Sequence, residues 1–433
     1  MIRKRAGSVL MRAAWLVFAA ALVQWPGLSP HLPSPAMAAP FTADKTRPPG
    51  KWKNVLEFVK NHWRTPVPPM GKAPASYRGR ERSLLPRDCG SCHPDQFEQW
   101  KTTLHADAMS PGIYGQTVDM WASNPGGAQN CNECHAPLSE QQKKILQGRG
   151  PLAGWGDNPG YIRELEMAGL TCAACHVRNW RIHGPPKQDA KPGASGSTAT
   201  GKHGGVERTP FFERSEFCMG CHQFTSGGPN GKAIQNTYNE WKASLWGKEG
   251  VQCQSCHMPK RRHLWRGIHD KEMTQGAVTL EVELDKKAPA GIAAARIVIT
   301  NTGAGHYFPT YITPSVDVIA ELEDAAGNPI PGTRQVQVIE RKLSSNFSRE
   351  IYDTRIPPQK SFVMTYRRGR PPRAARLRVR VHVRPDAFYL RFFTQTLRGR
   401  HSPKARRLLE EAKKRAENSA FNIYDDRIDL DKG

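Results

Sequence analysis

All ten cysteines of the chain fall into pairs of one form, Cys-x-x-Cys-His, and none is left over. The five motifs are Cys89/Cys92 with His93, Cys131/Cys134 with His135, Cys172/Cys175 with His176, Cys218/Cys221 with His222, and Cys253/Cys256 with His257. Zinc ribbons and thiol redox sites also use Cys-x-x-Cys, but neither requires a histidine after every pair. Two thiols can bond to the two vinyl groups of one porphyrin, and the next histidine then reaches the iron. The sequence therefore predicts five covalently bound c-type haems.

The motifs follow one another at intervals of roughly forty residues, which is too short for five separate domains. Only 8% of the residues are aromatic, so the porphyrins are expected to supply much of the core. Haems packed this densely lie close together, which is the condition for electrons to hop from iron to iron.

The sixth iron ligands must come from the remaining histidines, with methionine as an alternative. His105 is the strongest candidate, because the stretch from Gln96 predicts a helix that carries it just after the first motif. Met109, four residues later on the same helical face, is its competitor.

Four further histidines are candidate ligands, each for a different reason. His306 stands among glycines that permit close approach to a flat cofactor. His269 is preferred to the nearby His263, because Asp270 could accept its second ring N–H. His183 and His203 are open between a ligand and a solvated loop residue. His62, His382 and His401 are expected at the surface.

The first residues have the pattern of a secretory signal: basic Arg3, Lys4 and Arg5, an apolar run over 13–23, and small residues ending at Ala38. Export to a periplasm-like space follows, with cleavage near Ala38 and no membrane span in the mature chain. The formal charge of +24 favours redox partner proteins with acidic docking surfaces over nucleic acid.

After Met273 the pattern becomes alternating, as in Val278, Leu280, Val282 and Leu284. The prediction is an α + β chain with two domains, a mainly helical, loop-rich multihaem domain followed by an antiparallel β-sandwich and a C-terminal helix. The expected divisions are a signal peptide over 1–38, the pentahaem domain over 39–275, the sandwich over 276–396, and the helix and tail over 397–433. Arginines at 376, 378, 380 and 384 predict either a solvated basic face or a docking patch.

Several stretches resemble the multihaem cytochrome group around cytochrome c-554, with more distant kinship to hydroxylamine oxidoreductase and pentahaem nitrite reductase. The similar stretches are Cys89–His93 followed by Gln99-Trp100-Lys101 and His105, Glu216 to Phe224, Thr237 to Lys242, and Gly303 to Thr310. In that group the histidine after the first motif is a distal ligand, which the resemblance implies for His105. Unlike typical nitrite reductases the chain has no Cys-x-x-Cys-Lys motif, and unlike hydroxylamine oxidoreductase it has five motifs and not eight.

Two principal functions remain. The preferred one is an electron carrier that moves electrons from a quinol-linked or periplasmic donor to an acceptor through mostly bis-histidine haems, with no catalytic residues. The alternative is a haem oxidoreductase in which one open iron acts on hydroxylamine or on a small nitrogen or sulfur oxyanion. A structural haem-binding subunit of a larger complex is a third possibility. The number of distal ligands discriminates between the first two.

Overall fold

A computed structural model describes residues 53–148, 153–188, 196–197, 202–223, 229–344 and 347–431. The predicted signal peptide, 1–38, lies outside these residues. Within the described ranges, none of the helices combines the length and the apolar character that a bilayer crossing requires.

The part of the chain that carries the motifs consists of short helices, small strands and long connections. Its helices are α1 (Val55–His62), α2 (Pro86–Gly90), α3 (Pro94–Trp100), α4 (Pro111–Ser123), α5 (Pro125–His135), α6 (Cys172–His176), α7 (Glu216–His222), α8 (Thr237–Ala243), α9 (Leu245–Lys248), α10 (Cys253–His257) and α11 (Lys271–Gln275). Proline begins α2 to α5, a position where its missing N–H has no helical partner to lose. Single 3-10 turns connect several of them, as at Gly79–Arg82 and Pro210–Glu213.

The described residues of this part form six small strands: β1 (Lys144–Gln147), β2 (Gly154–Asp157), β3 (Val177–Arg178), β4 (Arg181–Gly184), β5 (Gly196–Ser197) and β6 (Val206–Arg208). The first two form a hairpin, and the other four form a sheet in the order β3-β4-β6-β5. In that sheet β4 and β6 run parallel.

The strands of the C-terminal part are β7 (Val278–Leu284), β8 (Ile292–Asn301), β9 (Ser315–Glu323), β10 (Gln335–Ile339), β11 (Arg341–Leu343), β12 (Glu350–Asp353), β13 (Ser361–Gly369), β14 (Arg376–Arg384) and β15 (Phe421–Asp429). They form antiparallel sheets in the orders β10-β9-β14-β15 and β13-β8-β7, with β11-β12 as a separate pair. Every alternating run from the sequence thus forms a strand, and the chain is a mixture of α and β structure.

The two larger sheets share one apolar core. It includes Ile297 and Ile299 from β8, Met364 from β13, and Val379 and Val381 from β14, each fully buried. Because successive side chains of a strand point to opposite faces, the alternation along β14 places its valines inward and its arginines outward.

The outward arginines of β14 form neither a solvated basic face nor a basic docking patch. Carboxylates of the neighbouring strands β9 and β15 pair with them: Arg376 with Asp429, Arg378 with Asp425 and Glu323, Arg380 with Glu321, and Arg384 with Asp317. Since β14 lies between β9 and β15, both neighbours supply acids that alternation within β14 alone does not reveal. The positive charge of this face is therefore locally neutralised.

The chain returns to its motif-bearing part before it ends. After α12 (Ala387–Thr396), helix α13 (Pro403–Glu417) packs against α4. Gly115 allows this close approach, because a Cβ there would lie 3.1 Å from the backbone nitrogen of Leu409. Strand β15 lies within the stretch predicted as helix and tail, and it forms the edge of the larger sheet beside β14.

Candidate functional site

Short helices present the five motifs. The motif cysteines and histidine of the second to fifth motifs lie within α5, α6, α7 and α10, each of which ends at its motif histidine. Residues i, i+3 and i+4 of a helix share a face, so both thiols and the imidazole point the same way. In the first motif, Cys89 lies in α2, whereas His93 caps α3.

All five motifs line one connected cavity of about 3260 Å³. A pocket for a single drug-sized ligand is about 300–1,000 Å³, so this space suits several large ligands. All ten cysteines, all five motif histidines and the candidates His105, His183, His203, His269 and His306 line it. No disulfide joins any of the ten cysteines. Apolar walls, paired thiols and inward imidazoles together fit covalently bound haem.

Thiols of different motifs form three hydrogen-bonded pairs: Cys89 with Cys172, Cys134 with Cys221, and Cys218 with Cys253. Cys175 also acts electrostatically on Cys218 and Cys221. The motifs are therefore adjacent in the order first, third, fourth, and the second and fifth both lie beside the fourth.

Three motif histidines face a second histidine across the cavity. The ring centroids are 6.2 Å apart for His222 and His105, 6.2 Å for His176 and His263, and 6.4 Å for His257 and His306. Two imidazoles bound to one metal at about 2 Å, with ring centres about 1 Å further out, would have centroids roughly 6 Å apart. Among the described residues, no comparable ring contact is found for His93 or His135.

Distance alone does not identify such a pair. The rings of His62 and His183 are also close, at 5.7 Å, but His62 belongs to no motif and does not line the cavity. Its Nε2 bonds the carbonyl of Cys175 at 2.8 Å, and its side chain is buried. The expectation that His62 lies at the surface was therefore wrong. Its position on α1, which packs against α7, encloses it.

His105 lies beyond the helix that was predicted to carry it. Helix α3 ends at Trp100, because the hydroxyls of Thr102 and Thr103 bond back to the carbonyls of Gln99 and Trp100 and compete with further helix formation. The turn that follows still brings His105 to the cavity wall. Met109 is buried beside Tyr114 and Ala136 and does not line the cavity.

The other candidate ligands have acidic neighbours. His269 Nε2 lies 3.1 Å from both carboxylate oxygens of Asp386 on the chain before α12. His183 Nδ1 lies 3.5 Å from Glu207, and His203 Nδ1 lies 3.8 Å from Glu81. All three side chains reach the cavity wall. The structure brings none of them into a ring pair with a motif histidine at the 6.2–6.4 Å seen above, within the residues it describes.

Backbone carbonyls orient several of the imidazoles that line the cavity. The Nδ1 atoms of His135, His176 and His257 bond the carbonyls of Ala108, His183 and Arg266 at 2.7, 2.8 and 2.7 Å. His306 Nδ1 bonds the carbonyl of Tyr307 at 2.9 Å. A donor role for Nδ1 leaves Nε2 as the free nitrogen, which is the tautomer that a metal ligand needs.

Burial keeps these imidazoles neutral. Desolvation by burial, with a smaller contribution from the nearby His222, lowers the pKa of His105 to about 3. Desolvation likewise lowers the pKa of His222 and of His263 to about 4. Neutral imidazole is the form that binds iron, so the protein holds these rings ready to act as ligands.

Three residues near the paired histidines were not identified from sequence. The indole of Trp265 lies 4.8 Å from the ring of His105 and 5.1 Å from that of His263. Glu240 and Arg355, distant in sequence, form a buried ion pair beside His306. Glu240 does stand within the stretch Thr237 to Lys242, but nothing in the sequence indicates its partner.

The family described as "Cytochrome c554 and c-prime" matches residues 88–177. The chain is 26% identical to cytochrome c-552 of Aliarcobacter butzleri over 51% of its length, and 23% identical to cytochrome c-554 of Nitrosomonas europaea over 36%. These alignments span 42% and 62% of the two relatives.

A crystal structure of a penta-heme cytochrome c552 from Thermochromatium tepidum has a similar fold. The TM-score is 0.56 at 18% identity, covering 82% of this chain and 100% of that chain. The family match and the curated relatives agree with the motif pattern in indicating covalently bound c-type haem. The chain is therefore a multihaem c-type cytochrome similar to the cytochrome c-554 group.

Proposed function

We propose that the protein is a periplasmic pentahaem cytochrome that carries electrons between redox partner proteins. The observation that carries this proposal is the single cavity lined by all five Cys-x-x-Cys-His motifs. Covalently held haem supplies reversible one-electron chemistry. The residues of the chain hold the groups, orient their ligands and exclude water.

The contacts between thiols support a connected arrangement. The fourth motif, Cys218 to His222, lies beside the second, third and fifth motifs, and the third lies beside the first. Such contacts bring neighbouring centres close enough for electron hopping. In this proposal the fourth motif is the junction of the set.

We assign distal ligands by the ring pairs. His105 would complete the site of His222, His263 that of His176, and His306 that of His257. His263 thereby replaces His269, whose Nε2 is engaged by Asp386. His183 and His203 remain candidates for the two other motifs, because both line the cavity.

The cellular setting is also part of the proposal. The basic and apolar pattern of residues 1–38 supports export, and the mature chain would comprise a pentahaem part over 39–275, the sheets over 276–396 and the C-terminal residues 397–433. The net charge of the sequence supports docking to acidic partners, among them a quinol-linked donor. The paired arginines of β14 make that face a poor docking surface, so the site of docking must lie elsewhere.

The test is pyridine haemochrome counting together with low-temperature electron paramagnetic resonance of the oxidised protein. We expect five haems per chain and low-spin signals from at least the three paired sites. Fewer than five haems would contradict the pentahaem assignment. If a small electron-donor protein fails to reduce the haems reversibly, the carrier role is contradicted.

We also propose an alternative function, because His93 and His135 have no histidine ring paired with them in the described residues. One open iron at either motif would make the protein an oxidoreductase for hydroxylamine or for a small nitrogen or sulfur oxyanion. A high-spin ferric signal of about one haem, together with turnover of such a compound, would support it. Low-spin signals from all five haems would exclude it.

A further inference from the structure

The segment that carries His306 belongs to the C-terminal part of the chain and contacts the part that carries the motifs. It follows β8, which ends at Asn301, and it presents the His306 ring to His257 of the fifth motif. The two rings are nearly parallel, with an interplanar angle of 11°, whereas the rings of the other two pairs are inclined at 51° and 40°. The orientation of the His306 ring relative to its partner therefore differs from that in the other two pairs, and its surroundings explain the difference.

Glu240 on α8 holds the backbone next to this ring. Its Oε2 accepts a hydrogen bond from the Tyr307 N–H at 3.2 Å. The carbonyl of the same Tyr307 accepts the bond from His306 Nδ1 at 2.9 Å. Glu240 thus restrains the residue whose carbonyl sets the rotation of the imidazole.

Arg355 completes the arrangement from the other part of the chain. Its guanidinium donates to Glu240 Oε1 at 3.0 Å and to both oxygens of Asp353 at 2.9 and 2.8 Å. It also lies over the Tyr307 ring, 5.0 Å from the centroid. Glu240 and Arg355 are buried, with 6% and 8% of their surfaces exposed. Glu240 therefore restrains the backbone of Tyr307, and Arg355 restrains its ring.

We propose that Glu240 and Arg355 are positioning residues for His306, which fix the orientation of its ring and set the reduction potential of the haem held by Cys253 and Cys256. The proposal rests on the assignment of His306 as the ligand opposite His257. The carboxylate of Glu240 places one negative charge beside the site. Such a charge favours the ferric state, since that state carries one more positive charge than the ferrous state.

The direct test is Glu240→Gln, which removes the charge and keeps the shape of the side chain. Glu321→Gln is the matched control, because Glu321 is equally buried at 6% and pairs with Arg380 on a sheet face that does not line the cavity. His306→Ala identifies which paramagnetic resonance signal and which redox titration step belong to the fifth motif.

We expect Glu240→Gln to raise the potential of the step that His306→Ala identifies, and to change the shape of the same low-spin signal. Nearly parallel imidazole planes give a rhombic low-spin spectrum, and rotation of one ring alters it. Glu321→Gln should leave both unchanged. Arg355→Lys keeps the charge but cannot hold two carboxylates in one fork, so it should change the signal and leave the potential close to the wild-type value.

The possible failures are distinguishable. If His306→Ala converts no haem from low spin to high spin, the ligand assignment in the proposed function is wrong. If His306→Ala converts one haem but Glu240→Gln and Arg355→Lys leave its signal as in the wild type, the ligand assignment stands and the positioning role is refuted. A shift in Glu321→Gln as large as in Glu240→Gln would also refute it.

Discussion

Replacing His263 by alanine is expected to open one iron, whereas replacing His269 should open none. The His263 ring lies 6.2 Å from that of His176, and its Nδ1 lies 3.1 Å from the carbonyl of Arg261. Its Nε2 is therefore available for a metal. His269 Nε2 instead lies 3.1 Å from both oxygens of Asp386.

The size of the effect follows from this difference. His263→Ala should convert one haem of the proposed five from low spin to high spin, which removes about one fifth of the low-spin intensity. His269→Ala should leave the spin states unchanged and lower the free energy of unfolding by about 1 kcal/mol, because a partly exposed His–Asp bond is lost.

Paramagnetic resonance of the oxidised variants, with haemochrome counting to confirm equal haem content, measures both effects. An increase of the high-spin signal in His269→Ala, with none in His263→Ala, would show that the ring-pair distance does not identify the ligands. Conversion in both variants would mean that the two histidines serve different haems.

Three further predictions concern attachment, charge and the core. Replacing Cys89 and Cys92 together by alanine should remove one haem per chain from the haemochrome count. Two hydrogen bonds from Arg378 lower the pKa of Asp425. These bonds therefore stabilise the folded protein above the unfolded pKa of about 3.9. The stabilisation is lost as the pH falls through the lower pKa of the folded state. Asp425→Asn should therefore cost at most about 1 kcal/mol at pH 7 and nothing in strong acid, as measured by urea unfolding at both pH values. Ile297→Ala, in the fully buried core of the two sheets, should cost about 2–5 kcal/mol in urea unfolding while the Soret spectrum of the native protein stays unchanged.

The β-rich part illustrates what periodicity can predict and where it fails. The alternation along β14 correctly indicated a strand with one apolar face. It could not indicate that carboxylates from β9 and β15 pair with the arginines of the other face. Strand neighbours are chosen by the tertiary fold, so charge complementarity between strands is not encoded within either strand.

The C-terminal residues show the same limit. The apolar spacing after Ser402 predicted the helix α13, because such spacing is local. The strand β15 was missed, since its alternation is broken by a run of acidic and basic residues. Their partners lie on β14, for Asp425 and Asp429, and on β9, for Arg427. A strand stabilised by pairs with another strand leaves a weak signal in its own sequence.

For the site, the sequence by itself determined the attachment chemistry, because two thiols and the following histidine are fixed by covalent spacing. The choice of distal ligands is different. A second ligand can come from any distance along the chain, as the proposed ligand His306 would from beyond β8, and only tertiary packing decides which imidazole reaches which motif. The same holds for Arg355 and Glu240, which meet only because the sheets dock on α8.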